Sequence, residues 1–92
     1  MNLRPFLAAT VLSVTSIAAL PVAAQSNAEQ AQERYNAGDF PAARALYQKA
    51  CMSDGKDEAC HNLGSMAWRG QGGAKDPVQA RDAYRRLSLK HI

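Results

Sequence analysis

Large aliphatic side chains are scarce in this sequence outside its first 24 residues. From residue 25 onward, Leu, Ile, Val and Phe number 7 (Phe40, Leu46, Leu63, Val78, Leu87, Leu89 and Ile92), against 12 alanines. That supply excludes a large self-contained core, and a length of 92 residues excludes an ordinary two-domain enzyme with its own cofactor fold. No Cys-x-x-Cys pair occurs, which argues against thioredoxin-like chemistry. Zinc needs three or four ligands at suitable spacings, and only Cys51, Cys60, His61 and His91 are candidates, so no metal and no cofactor is expected. A haem-attachment motif is missing too, because no earlier cysteine precedes Cys60 and His61 at the required spacing. Charge is not concentrated in one sign. Residues 25–92 hold 10 Lys and Arg against 8 Asp and Glu, a net +2, with no basic stripe of the kind that binds nucleic acid or a membrane surface.

The one long hydrophobic run lies at the N-terminus. It extends from 6 to 20, interrupted only by Thr and Ser, behind the single charge of Arg4. Pro21 breaks it, and Val22 and Ala24 provide compact residues at the third-last and last positions before a cleavage point. This is the pattern of a secretory signal peptide over residues 1–24, removed after Ala24. The alternative, a membrane anchor, wants about 20 apolar residues, and this run is shorter. No lipid-attachment cysteine stands at the junction. The remaining domain, 25–92, is expected outside the cytoplasm, periplasmic or secreted, with no stable membrane insertion. In such a compartment an even cysteine count favours a disulfide between Cys51 and Cys60. Free thiols, a redox pair and a metal site are the alternatives.

Four helices are expected in 25–92. Ser26 and Glu29 have the spacing of a capping box, after which Ala28, Ala31 and Tyr35 share a helical face. Gly38 ends this helix and Asp39 opens the next, which runs from 40 to about 51 with Ala43, Leu46, Tyr47 and Ala50 at i, i+3, i+4 and i+7. Ser53, Asp54 and Gly55 form a turn. The third helix covers roughly 57 to 69, with Ala59, Leu63, Met66 and Ala67 on one side; Gly64 costs helix propensity and suits close approach of a neighbouring helix. After the glycine-rich 70–75 loop, Asp76 and Pro77 supply an N-cap and a first-turn proline. The last helix then carries Ala80, Ala83, Tyr84 and Leu87 on one face.

The second and fourth helices repeat at an offset of 37: Ala43, Arg44, Tyr47 and Lys49 return as Ala80, Arg81, Tyr84 and Arg86. The first and third match at an offset of 32: Ala31 with Leu63, Tyr35 with Ala67, Gly38 with Gly70. Two helix–turn–helix units of this period read as a helical repeat protein. Ala59, Leu63, Gly64, Met66, Gly70, Gly72, Lys75, Asp76, Ala80 and Tyr84 stand as they do in the Sel-one-like repeat, which this segment resembles. Tyr35, Gly38, Asp39, Phe40, Ala43 and Tyr47 are closer to the shorter tetratricopeptide pattern. The resemblance spans about 28 to 88. It implies an all-α fold of two stacked helix–turn–helix repeats, a short α-solenoid, with a tetratricopeptide-like unit over 25–52 and a Sel-one-like unit over 57–90. In the cysteine-rich exported branch of the family a similar cysteine pair bridges successive helices. The chain departs from the pattern at Ala67, where an aromatic is usual, and at Gly73, where an aliphatic is usual; Trp68 is placed to cover part of the deficit. Repeat stacks generally need about three units and a polar cap. The chain therefore reads as a minimal member, a truncated one, or half of a homo-oligomer.

The function implied is a non-catalytic module that binds a protein or peptide partner. The first helices of repeat hairpins line the concave surface, which makes Gln32, Asn36, Asn62 and Ser65 the candidate contact residues. Trp68, beside Arg69, reads either as core edge or as a binding anchor. Tyr47 and Tyr84 read as core, His61 as solvated, and Arg81, Arg85 and Arg86 as a solvated face or a dock for an acidic peptide. Ser53 and Lys56 have the spacing of the Ser-x-x-Lys motif of penicillin-recognising enzymes, but the two companion motifs are missing. Some cysteine-rich relatives are associated with β-lactam binding or slow hydrolysis. A β-lactam-interacting protein is therefore the alternative, and a repeat fragment without independent function a third. Expression of the full chain in a bacterium with an intact export pathway is expected to give a product with the mass of residues 25–92. A purified product retaining residues 1–24 contradicts the signal-peptide reading.

Overall fold

The computed structural model describes residues 20–21 and 24–90; most of the proposed signal peptide, with His91 and Ile92, lies outside these residues. The described chain is all-helical, with four helices and no strand: α1 (Asn27–Asn36), α2 (Phe40–Met52), α3 (Asp57–Arg69) and α4 (Pro77–Lys90). Each helix packs on its neighbours in sequence, α1 on α2, α2 on α3, α3 on α4. None is long and apolar enough to cross a membrane.

Local chemistry sets the helix ends. The Ser26 hydroxyl accepts from the Glu29 amide at 3.1 Å, and Glu29 Oε1 accepts from the Ser26 amide at 2.8 Å, which completes the capping box. Asp39 accepts from the Ala42 amide at the start of α2, and Asp76 from the Gln79 amide at 3.0 Å at the start of α4. The α3 helix starts at Lys56 without a side-chain cap, but Asp57 and Glu58 place two carboxylates in its first turn, where the helix dipole favours them.

The core is thin and built mostly from alanine. Ala31, Ala43, Ala50, Ala59, Ala67, Ala80 and Ala83 are buried, together with Leu63, Met66, Tyr47 and both cysteines. Small side chains let the helix backbones approach closely, and Gly64 is the extreme case. A Cβ there would sit 2.7 Å from the Tyr84 ring, so the ring of α4 packs against a position where any side chain would push it away. Tyr35 and Phe40 pack their rings 5.0 Å apart where α1 turns into α2.

Tyr84 departs from expectation. Its counterpart Tyr47 is 3% exposed, while Tyr84 is 39% exposed. The difference is one of neighbours: α2 packs between α1 and α3, whereas α4 packs mainly on α3. Trp68 stays open as well, 62% exposed, in a shallow depression shared with Pro77, Ala80, Arg81 and Tyr84. It therefore does not fill the space left by the small Ala67, which is itself fully buried.

A disulfide and an arginine side chain tie the helices together. Cys51, at the end of α2, and Cys60, in the first turn of α3, form a buried disulfide with their Cα atoms 4.6 Å apart. Arg44 of α2 is the second tie. Its guanidinium donates to the Gln71 carbonyl at 3.2 Å through Nη1, and to Gln79 Oε1 through Nε and Nη2 at 3.2 and 3.1 Å. One side chain of the first hairpin thus holds both the 70–75 loop and the start of α4. Gly72 permits this closure: it has a φ of +78° and rests on the backbone of Phe40 and Pro41, where any Cβ would collide with the Phe40 carbonyl.

With so little apolar area buried, the disulfide is a large share of the stability. The chain-entropy model gives about 2.7 kcal/mol for a loop of this size. Reduction, or replacement of both cysteines by alanine, is expected to lower the melting temperature by about 10–20 °C in a domain of this length. A far-UV circular dichroism melt that does not move on reduction contradicts the assignment of that role to the disulfide.

Candidate binding groove

Because α1 and α3 both rest on α2 but scarcely on each other, a groove runs between them. Its walls are α1 and α3 and its floor is Tyr47 of α2. It comprises two adjoining depressions that share Gln32, Tyr47 and Asn62. The first, of about 380 Å³, is lined by Ala28, Glu29, Gln32, Glu33 and Asn36 from α1, Tyr47, and Glu58, Ala59 and Asn62 from α3. The second, of about 290 Å³, adds Tyr35, His61, Ser65, Met66, Arg69 and Gln71.

The structure gathers four of the five candidate contact residues here. Gln32 and Asn62 lie at the waist, Asn36 on one side and Ser65 on the other. Trp68 does not join them; it lines the separate depression against α4. The four are not equivalent. Gln32 is engaged at both ends of its amide: Oε1 accepts from the Tyr47 hydroxyl at 3.2 Å and Nε2 donates to Asn36 Oδ1 at 3.0 Å. Gln32 therefore orients Tyr47 and Asn36. The amide donors of Asn36, the part of the Asn62 amide that Tyr47 does not engage, and the hydroxyl of Ser65 are the groups left to meet a ligand.

Tyr47 anchors this network. Burial raises its phenol above the usual value of 10.0, and the Glu58 carboxylate raises it further, partly offset by a hydrogen bond from Asn62 that lowers it. The neutral phenol donates to Gln32, so the floor of the groove is fixed and uncharged at physiological pH. At the far side, Gln71 donates to the Tyr35 hydroxyl at 3.4 Å and closes that end with the loop that Arg44 holds.

The groove carboxylates do not read from the sequence as site residues: Glu29 reads only as a cap, and Glu33 and Glu58 are not singled out. Glu29 and Glu33 are four apart and so share a helical face, which was the available signal. Among the described residues the one ion pair is Arg34 with Asp39, at 3.9 Å on the exposed surface, so no cation pairs with these three carboxylates.

Of the remaining candidates, His61 lines the second depression and the others fall elsewhere. Ser53 ends α2 and Lys56 precedes α3, both exposed in the turn. His61 is exposed on α3, its ring 6.1 Å from that of Tyr84. Arg81, Arg85 and Arg86 are exposed on α4, away from the groove. Cys51 and Cys60 are bonded to each other, which removes both as thiolate ligands or nucleophiles. No protein-family model, curated protein or solved structure matches the chain.

The raised Tyr47 value has a stability consequence with a defined sign. The folded state holds this proton more tightly than the unfolded state, so its contribution is intact below pH 10.0 and is lost as pH rises through the folded value. Tyr47→Phe removes the hydrogen bond and should cost about 1 kcal/mol at neutral pH. The gap between wild type and variant is expected to narrow in thermal melts above about pH 10. A gap constant with pH contradicts the assigned environment.

Proposed function

We propose that this chain is an exported, non-catalytic protein-binding module of the Sel-one-like repeat type, which takes an extended peptide segment of its partner in the α1–α3 groove. In this reading the two helix pairs are successive repeats of a short α-solenoid, and the groove is its concave surface. Residues 1–24 direct export and are removed. The observation that carries the reading is the convergence of Gln32, Asn36, Asn62 and Ser65 on one groove with an apolar, hydrogen-bonded floor. A side-chain amide can donate to and accept from a peptide backbone at once, as a neighbouring strand does, without demanding a particular sequence. The disulfide, and the absence of a membrane-crossing helix among the described residues, are compatible with an exported protein.

Peptides selected from a random display library on the immobilised protein provide the test. Asn62→Ala is expected to weaken the selected peptides by roughly tenfold, as loss of one or two hydrogen bonds dictates. Trp68→Ala is expected to leave them unchanged. Equal binding by wild type and Asn62→Ala, or loss confined to Trp68→Ala, moves the binding surface out of the groove.

A further inference from the structure

The charge of the groove opposes that of the molecule around it. Residues 25–92 carry two more cationic than acidic side chains, yet the larger depression is lined by Glu29, Glu33 and Glu58 and by no Lys or Arg. Between these carboxylates the walls are Ala28 and Ala59, too small to fill the space, and the floor is the uncharged Tyr47. Such a slot, apolar in its depth and anionic at its rim, matches a side chain with an aliphatic stem and a positive end. The opposite depression carries Arg69, so the preference for cations is confined to the α1 and early α3 side.

We infer that the occupant of this groove is a cationic peptide segment, with Lys or Arg side chains laid along Ala28 and their charged ends set against Glu29, Glu33 and Glu58. The inference rests on the peptide-groove reading and adds the chemistry of the partner. The amides of Asn36 and Asn62 select a peptide over a simple polyamine, because only the peptide offers backbone donors and acceptors to them. The molecule's overall positive charge repels cations at long range. Attraction therefore develops only once the segment enters the groove, and it is sensitive to salt at the exposed rim.

The test uses protein purified from expression of the full chain and dye-labelled octapeptides alternating Ala with Lys, Gln or Glu, followed by fluorescence anisotropy. The Lys peptide is expected to bind at least about tenfold more tightly than the Gln peptide, and to weaken severalfold as ionic strength rises from about 0.05 to 0.3 M. Glu33→Gln with Glu58→Gln is expected to abolish that preference. Glu29 is left intact because it closes the α1 capping box. Melts of the double variant confirm that it is folded. Three peptides binding alike, no measurable binding of the Lys peptide, an unaltered preference in the double variant, or spermidine competing as well as the Lys peptide each overturn the inference. Asn62→Ala separates the two levels. If it weakens all peptides while the glutamate substitutions do nothing, the cationic preference fails and the groove stands. If neither set of substitutions matters, the groove reading fails as well.

Discussion

Close approach of helix backbones, enforced by the lack of large side chains, governs this molecule. Alanines fill most of the buried positions, Gly64 admits the Tyr84 ring, and Gly72 lets a loop rest on the backbone of α2. Little hydrophobic volume is therefore available to choose one arrangement over another, and specificity passes to discrete ties. The Cys51–Cys60 bond fixes α2 against α3, and the Arg44 guanidinium fixes α2 against the loop and α4. Both ties originate on α2, which packs on α1 and α3.

The same scarcity of bulk opens the groove. Ala28 and Ala59 stand on its facing walls, where larger residues would have closed the gap over Tyr47. A hydrogen-bonded phenol and an amide then occupy the floor, so the space is shaped by fixed polar groups instead of being filled by side chains that could collapse into it. The α1 capping box contributes at one remove. By fixing Glu29 at the first turn, it sets the phase at which Gln32 and Asn36 face the groove.

Much of the local structure was legible in the sequence because its determinants are local. Ser26 with Glu29, Asp39 ahead of Pro41, and Asp76 ahead of Pro77 mark helix starts within a few residues of where they act. The alternation of small and aromatic residues gave the buried faces, and the hairpin pattern pointed to Gln32, Asn36, Asn62 and Ser65 as neighbours. What the sequence concealed depends on distant contacts. Arg44 lies off the apolar face of its helix, and nothing nearby indicates that its partners are 27 and 35 residues away. The acidity of the groove arises only when α3 brings Glu58 opposite Glu29 and Glu33. Tyr84 carries the same local pattern as Tyr47, and its exposure reflects a missing neighbour, which no periodicity along α4 could reveal.

The two outer helices leave the fold with unlike ends. On α1, the shallow depression away from the core is bordered by Gln30, Glu33, Arg34 and Ala37. On the α4 side, Trp68 and Tyr84 share one open depression, while Leu89 lines another, with Cys51 and Met52, and Val78 is exposed. The two ends of the helix array thus differ in polarity: the α1 depression is bordered mainly by polar side chains, while the depression beside α4 holds the Trp68 and Tyr84 rings.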